Sequence, residues 1–212
     1  SALKRKGYLA LNTSAFNSGA AWNSLHYLET SVLGDFIIGT CGNKIAKMDA
    51  FDGTWDDITG STSISVGNDN QGDFAQAFDT LIIEDGVNTT PPFKWDGTGN
   101  AAALGGSPPN ATMVEYHRNH LWSAGDSTNP SRVNFSNICT TSSTCIETWT
   151  IATDFFEIDT NDGQTVTGMR SGLDCLYVWK TNSIFRICGT SRDTFTQEQM
   201  VRDIGTLSNS SI

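Results

Sequence analysis

Four stretches of the chain repeat one short pattern, GDFII at Gly34–Ile38, FDTLII at Phe78–Ile83, RNHLWS at Arg118–Ser123 and LDCLYVW at Leu173–Trp179. Each sets an acidic or amide residue just before a run of apolar and aromatic residues: Asp35, Asp79, Asn119 and Asp174. The intervals are 44, 40 and 55 residues, a period in the 40s. A period of that length built from strand-like runs is the signature of a blade array such as a β-propeller, in which each unit must bury its apolar faces against its neighbours.

Each unit carries a second alternating run after a polar turn: NKIAKMD at Asn43–Asp49, PPFKW at Pro91–Trp95, SRVNFS at Ser131–Ser136 and NSIFRI at Asn182–Ile187. Alternation over four to eight positions argues for half-buried strands, so each unit holds an antiparallel hairpin with one or two flanking strands. FDGT at Phe51–Thr54 and WDGT at Trp95–Thr98, 44 residues apart, read as matched Asp-Gly turns of type I′. The fold expected is all-β, a β-propeller-like array of antiparallel blades. Residues 1–30 form an N-terminal segment, and the repeats run over 31–76, 77–113, 114–167 and 168–212. Four units are few for a closed ring. The chain therefore reads as a fragment of a larger propeller, or as a ring that a strand from Ser1–Thr30 closes. Its Ser1 start reads as a processed or cut N-terminus. Phe36, Ile38, Leu81, Ile83, Leu121, Leu176, Val178 and Ile184 are the expected core positions. Trp22, Trp55, Trp95, Trp122, Trp149 and Trp179 are the expected anchors.

Composition narrows the function classes. Only 17% of residues are charged and the chain has 20 Gly, a turn-rich β profile rather than a disordered one. No apolar run approaches the ~18–20 residues of a membrane span. A net charge of −10, with 13 Lys and Arg against 23 Asp and Glu, argues against tight nucleic-acid binding, which needs many phosphate-neutralising cations. The basic cluster Lys4-Arg5-Lys6 reads as a solvated terminal run.

Catalytic and metal signatures are lacking. Cys41, Cys139, Cys145, Cys175 and Cys188 include no zinc-ligand spacing and read as core thiols, with one loop bridge open between Cys139 and Cys145. His117 and His120, in EYHRNH, fall on opposite faces if that segment is a continuous strand, a poor arrangement for one metal ion. NDNQGD at Asn68–Asp73 and DTNDG at Asp159–Gly163 crowd oxygen ligands without calcium-loop spacing and read as turns. No nucleophile elbow, phosphate loop or metalloprotease motif occurs. No catalytic, cofactor-binding or metal residue is assigned, and no cofactor is expected.

HRNHLWSAGDSTNPSRVNFSNI at His117–Ile138 resembles a stretch of the propeller-bearing tail hub, nozzle or "packaged-DNA stabilisation" proteins of short-tailed bacteriophages. VTGMRSGLDCLYVWKTNSIFRICG at Val166–Gly189, RDIGTLSNSSI at Arg202–Ile212 and KRKGYLALNTSAFNSG at Lys4–Gly19 fit the same family. The resemblance implies a non-enzymatic virion structural protein located in the tail, a component of the DNA-ejection conduit. Its implied partners are itself, as a homo-oligomer in the assembled particle, and other virion or tail proteins, with no membrane. The alternatives are a carbohydrate-binding propeller module, which needs exposed aromatic residues in every blade, and a propeller glycosidase, which needs paired carboxylates across a cleft.

Overall fold

The computed structural model describes residues 15–49, 53–62, 64, 71–87 and 90–212. They form an all-β propeller-like array of four antiparallel sheets, each of four strands in sequence order. Blade 1 holds β1 (Trp22–Thr30), β2 (Gly34–Cys41), β3 (Lys44–Asp49) and β4 (Asp56–Asp57). Blade 2 holds β5 (Asp73–Ala77), β6 (Thr80–Glu84), β7 (Phe93–Trp95) and β8 (Ala102–Ala103). Blade 3 holds β9 (Met113–His117), β10 (His120–Ala124), β11 (Arg132–Phe135) and β12 (Phe155–Glu157). Blade 4 holds β13 (Val166–Ser171), β14 (Cys175–Lys180), β15 (Ser183–Cys188) and β16 (Thr196–Arg202). The helical residues described are short 3₁₀ turns.

The repeated Asp/Asn position has a structural job. In blades 2, 3 and 4 it sits in the turn between the first and second strands, while Asp35 of blade 1 already lies in β2, paired with Glu29; in every blade the apolar run that follows belongs to the second strand. At the third blade Arg118 and Asn119 both take left-handed φ, 50° and 63°, as a two-residue turn requires. The segment that sequence alternation treats as continuous is therefore folded back. His117 and His120 lie directly opposite one another on the same face of the sheet. The expectation that they face opposite sides is corrected by that turn.

Two register positions define the packing. The residue two after the turn acid points to the preceding blade, and the residue three after it points to the following one. Leu81, Leu121 and Leu176 are fully buried at the first position, and Ile38, Ile82 and Trp122 at the second. Three cores result. Leu28, Phe36, Ile38 and Ile45 of blade 1 meet Leu81, Ile83, Phe93 and Trp95 of blade 2. Ala75, Ala77 and Ile82 meet Val114 and Leu121. Trp122, Val133 and Phe135 meet Met169, Leu176, Val178 and Phe185. At ~25 cal/mol per Å² of apolar area, these three interfaces supply the main drive to fold.

Of the eight expected core residues, all but Ile184 are buried, and Ile184 is half-buried on the outward face of blade 4. Of the six tryptophans only Trp95 and Trp122 are fully buried; Trp22 is 37% exposed and Trp55, Trp149 and Trp179 are half-buried, so four of the expected anchors lie nearer the surface. WDGT does not make a type I′ turn. Only Gly97 has positive φ, while Asp96 caps Thr98 N through its side chain at 3.0 Å. Residues 51 and 52 of the companion FDGT lie outside the described residues, as do Lys4-Arg5-Lys6 and residues 68–70 of NDNQGD, whose Asp73 opens β5.

The cysteines correct a further expectation. Cys139–Cys145 is a disulfide closing the loop after β11, and Cys175–Cys188 is a second one, which the reading as core thiols had missed. Cys175 and Cys188 are direct cross-strand partners, with Cα atoms 4.3 Å apart. Cys41 is free and buried.

Candidate functional site

The first strands of all four blades, β1, β5, β9 and β13, converge on one cavity of about 700 Å³. The repeat starts read from the sequence at 31, 77, 114 and 168 fall within or just after these inner strands, because the sequence pattern marks the turn rather than the strand before it. Asp73, on β5, accepts three contacts: Val114 N at 3.0 Å, Asn209 Nδ2 at 2.9 Å and Arg170 Nη1 at 3.5 Å. Arg170, from β13, also approaches Glu115 of β9 at 3.7 Å. One guanidinium thus braces two carboxylates from two other blades.

Burial dominates the electrostatics of this cluster. It raises Asp73, against the opposing pull of Arg170 and the Val114 amide. It lifts Glu115 to about 7, with Asp73 adding to the rise and Arg170 opposing it. Glu84, opposite Asp73 on β6, is 1% exposed and is raised well above the ordinary carboxylate range by burial, then by Asp85 and Asp73. A protonated Glu84 is the physical consequence, since a charged carboxylate so far from water costs too much. The C-terminal turn Asn209–Ser211 reaches into the cavity: Asn209 Oδ1 accepts from Met169 N at 3.0 Å.

Two other oxygen-rich features have partners. In DTNDG, Lys180 Nζ donates to Asp159 O at 2.7 Å and Asp162 Oδ1 at 2.8 Å. That ammonium is fully buried, so the turn is the socket of a lysine from the next blade. His117 Nδ1 lies 2.6 Å from Ser171 Oγ and His120 Nδ1 lies 2.6 Å from Ser136 O. Among the described residues no three His, Cys, Asp or Glu side chains are grouped to hold a metal ion.

Polar clasps cross each of the three seams between blades. Ser31 N donates to Asp79 Oδ1 at 2.8 Å and Gln76 Nε2 to Glu29 O at 2.7 Å at the first. Lys94 pairs with Glu147 at 2.6 Å at the second, and Glu147 also accepts from Gly105 N. Arg118 pairs with Asp174 at the third. Two of the repeated acids, Asp79 and Asp174, are therefore acceptors for the preceding blade, a role the sequence pattern signalled by position but not by chemistry.

No family model and no curated protein matches the chain. Solved structures do. The chain is similar to a computationally designed protein, Ika4, at 13% identity and a TM-score of 0.52, over 94% of this chain and 100% of that one. It is similar to BamB from Moraxella catarrhalis at 10% identity and a TM-score of 0.57, over 92% of this chain and 53% of that one. It is similar to YCF48 from Cyanidioschyzon merolae at 12% identity and a TM-score of 0.50, over 80% and 55%. The chain thus spans all of the designed protein and about half of each of the two natural ones. At such identities the likeness is one of fold, the β-propeller.

Proposed function

We propose that the chain is a non-enzymatic structural subunit of a bacteriophage tail, a component of the DNA-ejection conduit that works through contacts between subunits. The observation that carries this reading is apolar surface left exposed on the array. Leu25 on blade 1 is 59% exposed, and Tyr177, Trp179 and Ile184 on blade 4 are half-buried. Large apolar surface left open on a folded chain marks contact with other proteins. The resemblance of His117–Ile138 and Val166–Gly189 to tail hub and nozzle proteins supplies the setting. The acidic balance suits a conduit, because a wall with few cations gives DNA phosphates little to pair with.

The braced Asp73–Arg170–Glu115 cluster supports a structural role over a hydrolytic one: the guanidinium holding both carboxylates is itself anchored to the fold through the Met169 carbonyl at 3.1 Å. The carbohydrate-binding alternative needs equivalent exposed aromatic platforms in every blade, and Trp95 and Trp122, in blades 2 and 3, are consumed by packing. The test is mass spectrometry of purified, nuclease-treated phage particles together with a glycan array and a chromogenic glycoside panel. The account expects the chain in particles and silence in both binding and turnover. Micromolar glycan hits, or turnover lost on changing Glu115, would reverse it.

A further inference from the structure

The three seams between blades are not built alike. The first core holds Phe36, Phe93 and Trp95 and the third holds Trp122, Phe135 and Phe185. Among the described residues the second buries no aromatic ring fully, and sets Ala75 and Ala77 against Val114 and Leu121. What completes it is a loop. The connection between β11 and β12, residues 136–154, is far longer than its counterparts at 96–101 and 189–195. It folds back over blade 2 and adds Cys139 and Ile146, 0% and 1% exposed, to that second core. The 3₁₀ turn Ser143–Glu147 within it carries polar side chains to blade 2 as well. Ser143 Oγ accepts from Thr80 Oγ1 at 3.0 Å, and Glu147 Oε1 accepts from Lys94 Nζ at 2.6 Å and from Gly105 N at 2.9 Å. Gly106, at φ 77°, admits the Glu147 carbonyl where any side chain would collide with it.

The Cys139–Cys145 disulfide ties that turn to blade 3. At one end Cys139 is anchored, its N donating to Asn119 O in the turn after β9 at 2.6 Å. At the other end Cys145 sits inside the 3₁₀ turn, between Ser143 and Glu147. We propose that this disulfide is a redox latch on the second seam: oxidised, it holds the loop clasped on blade 2, and reduced by a small dithiol, it lets the turn leave and the seam loosen. The two sulfurs differ in access. Cys139 is sealed, whereas Cys145 is half-buried and borders two surface cavities of about 310 and 600 Å³. A thiolate of the dithiol therefore attacks Cys145 Sγ, forming a mixed disulfide there and breaking the bond to Cys139, which leaves as a thiolate and takes up a proton. The second thiolate of the dithiol then closes on the first, releasing Cys145, which takes up a proton in turn. The dithiol is oxidised to a cyclic disulfide and its two electrons reduce the bridge. The opened loop regains the chain freedom that the bridge had removed. Ile146, two hydrogen bonds and the partly exposed Lys94–Glu147 pair are then left to hold it, and exposed ion pairs contribute little. Cys175–Cys188 has no such reach: it joins β14 to β15, already paired along their length in one blade, so its opening crosses no seam. The latch needs nothing of the phage assignment, and every residue of it lies between Ala75 and Glu147.

The experiment is hydrogen exchange read at single amides by NMR on the 212-residue chain, before and after ~5 mM dithiothreitol, with alkylated cysteines mapped by mass spectrometry. Gly105 N reports the second seam through Glu147, and Ser31 N reports the first through Asp79. Opening Cys139–Cys145 should speed exchange at Gly105 by at least ~10-fold and leave Ser31 unchanged. Cys175→Ser combined with Cys188→Ser should keep that response. Cys139→Ser combined with Cys145→Ser should exchange fast at Gly105 without reductant and be indifferent to it. The unaltered chain decides the matter even where a variant fails to fold, since the mapped cysteines identify the bridge that opened. A Cys139–Cys145 bridge that resists the dithiol in the folded chain, Gly105 exchange unchanged once both cysteines are labelled, or Ser31 accelerated as much as Gly105 would each overturn the inference.

Discussion

Lys180 and Glu115 show how much of this fold is decided by single charged groups. Lys180 lies in the third seam with its ammonium held by the Asp159 carbonyl and the Asp162 carboxylate. Lys180→Ala leaves Asp162 without that partner and opens a cavity, and should cost roughly 3–5 kcal/mol in urea unfolding. Glu115 presents the opposite case. In the folded chain it holds its proton up to about pH 7, while in the unfolded chain the carboxyl ionises near 4.5. Between those values the folded state binds the extra proton, so the contribution of this group to stability falls as pH rises from about 4.5 to about 7. Glu115→Gln removes the penalty of the buried charge. It should raise stability by about 1–3 kcal/mol at pH 8 and by little at pH 4. Equal effects at the two pH values would show that Glu115 ionises normally.

At the scale of the strand, the second strand of each blade carries the register. Leu121 and Leu176 are completely buried in the second and third cores, and truncating either to Ala should cost roughly 2–5 kcal/mol. Ile184→Ala, at a half-buried position on blade 4, should cost under ~1 kcal/mol in the dissociated chain. These second strands were legible in the sequence because apolar residues on both faces follow a turn acid, a pattern that only a strand packed between two sheets satisfies. The inner strands were less legible. In WNSLHYLET the residues mix polar and apolar types on both faces, because one edge of the strand borders the cavity. Cys175–Cys188 was missed for a different reason: a cross-strand bridge depends on register, which spacing alone does not specify. The loop after β11 was easier, since Cys139 and Cys145 are near neighbours in the chain. Of the cavity cluster nothing was legible, since Asp73, Glu115 and Arg170 come from three different blades and share no sequence pattern.

For the whole molecule, the repeat explains both what is closed and what is open. Three seams are sealed by matched faces, and the apolar residues left exposed account for contact as the proposed mode of action. Surface charge acts in the same direction: at ~150 mM salt the chain should not retard duplex DNA, and retardation at low micromolar protein would count against an acidic conduit wall. The central claim, that the residue three after the turn acid is buried where another blade packs on it, is tested most directly by hydroxyl-radical footprinting read at single residues over a dilution series. Trp95 and Trp122 should stay unreactive at every concentration, being 1% and 0% exposed. Tyr177 and Trp179 should be reactive in dilute protein and become protected as association proceeds. Reactive Trp122, or Tyr177 and Trp179 equally reactive at all concentrations, would contradict the account.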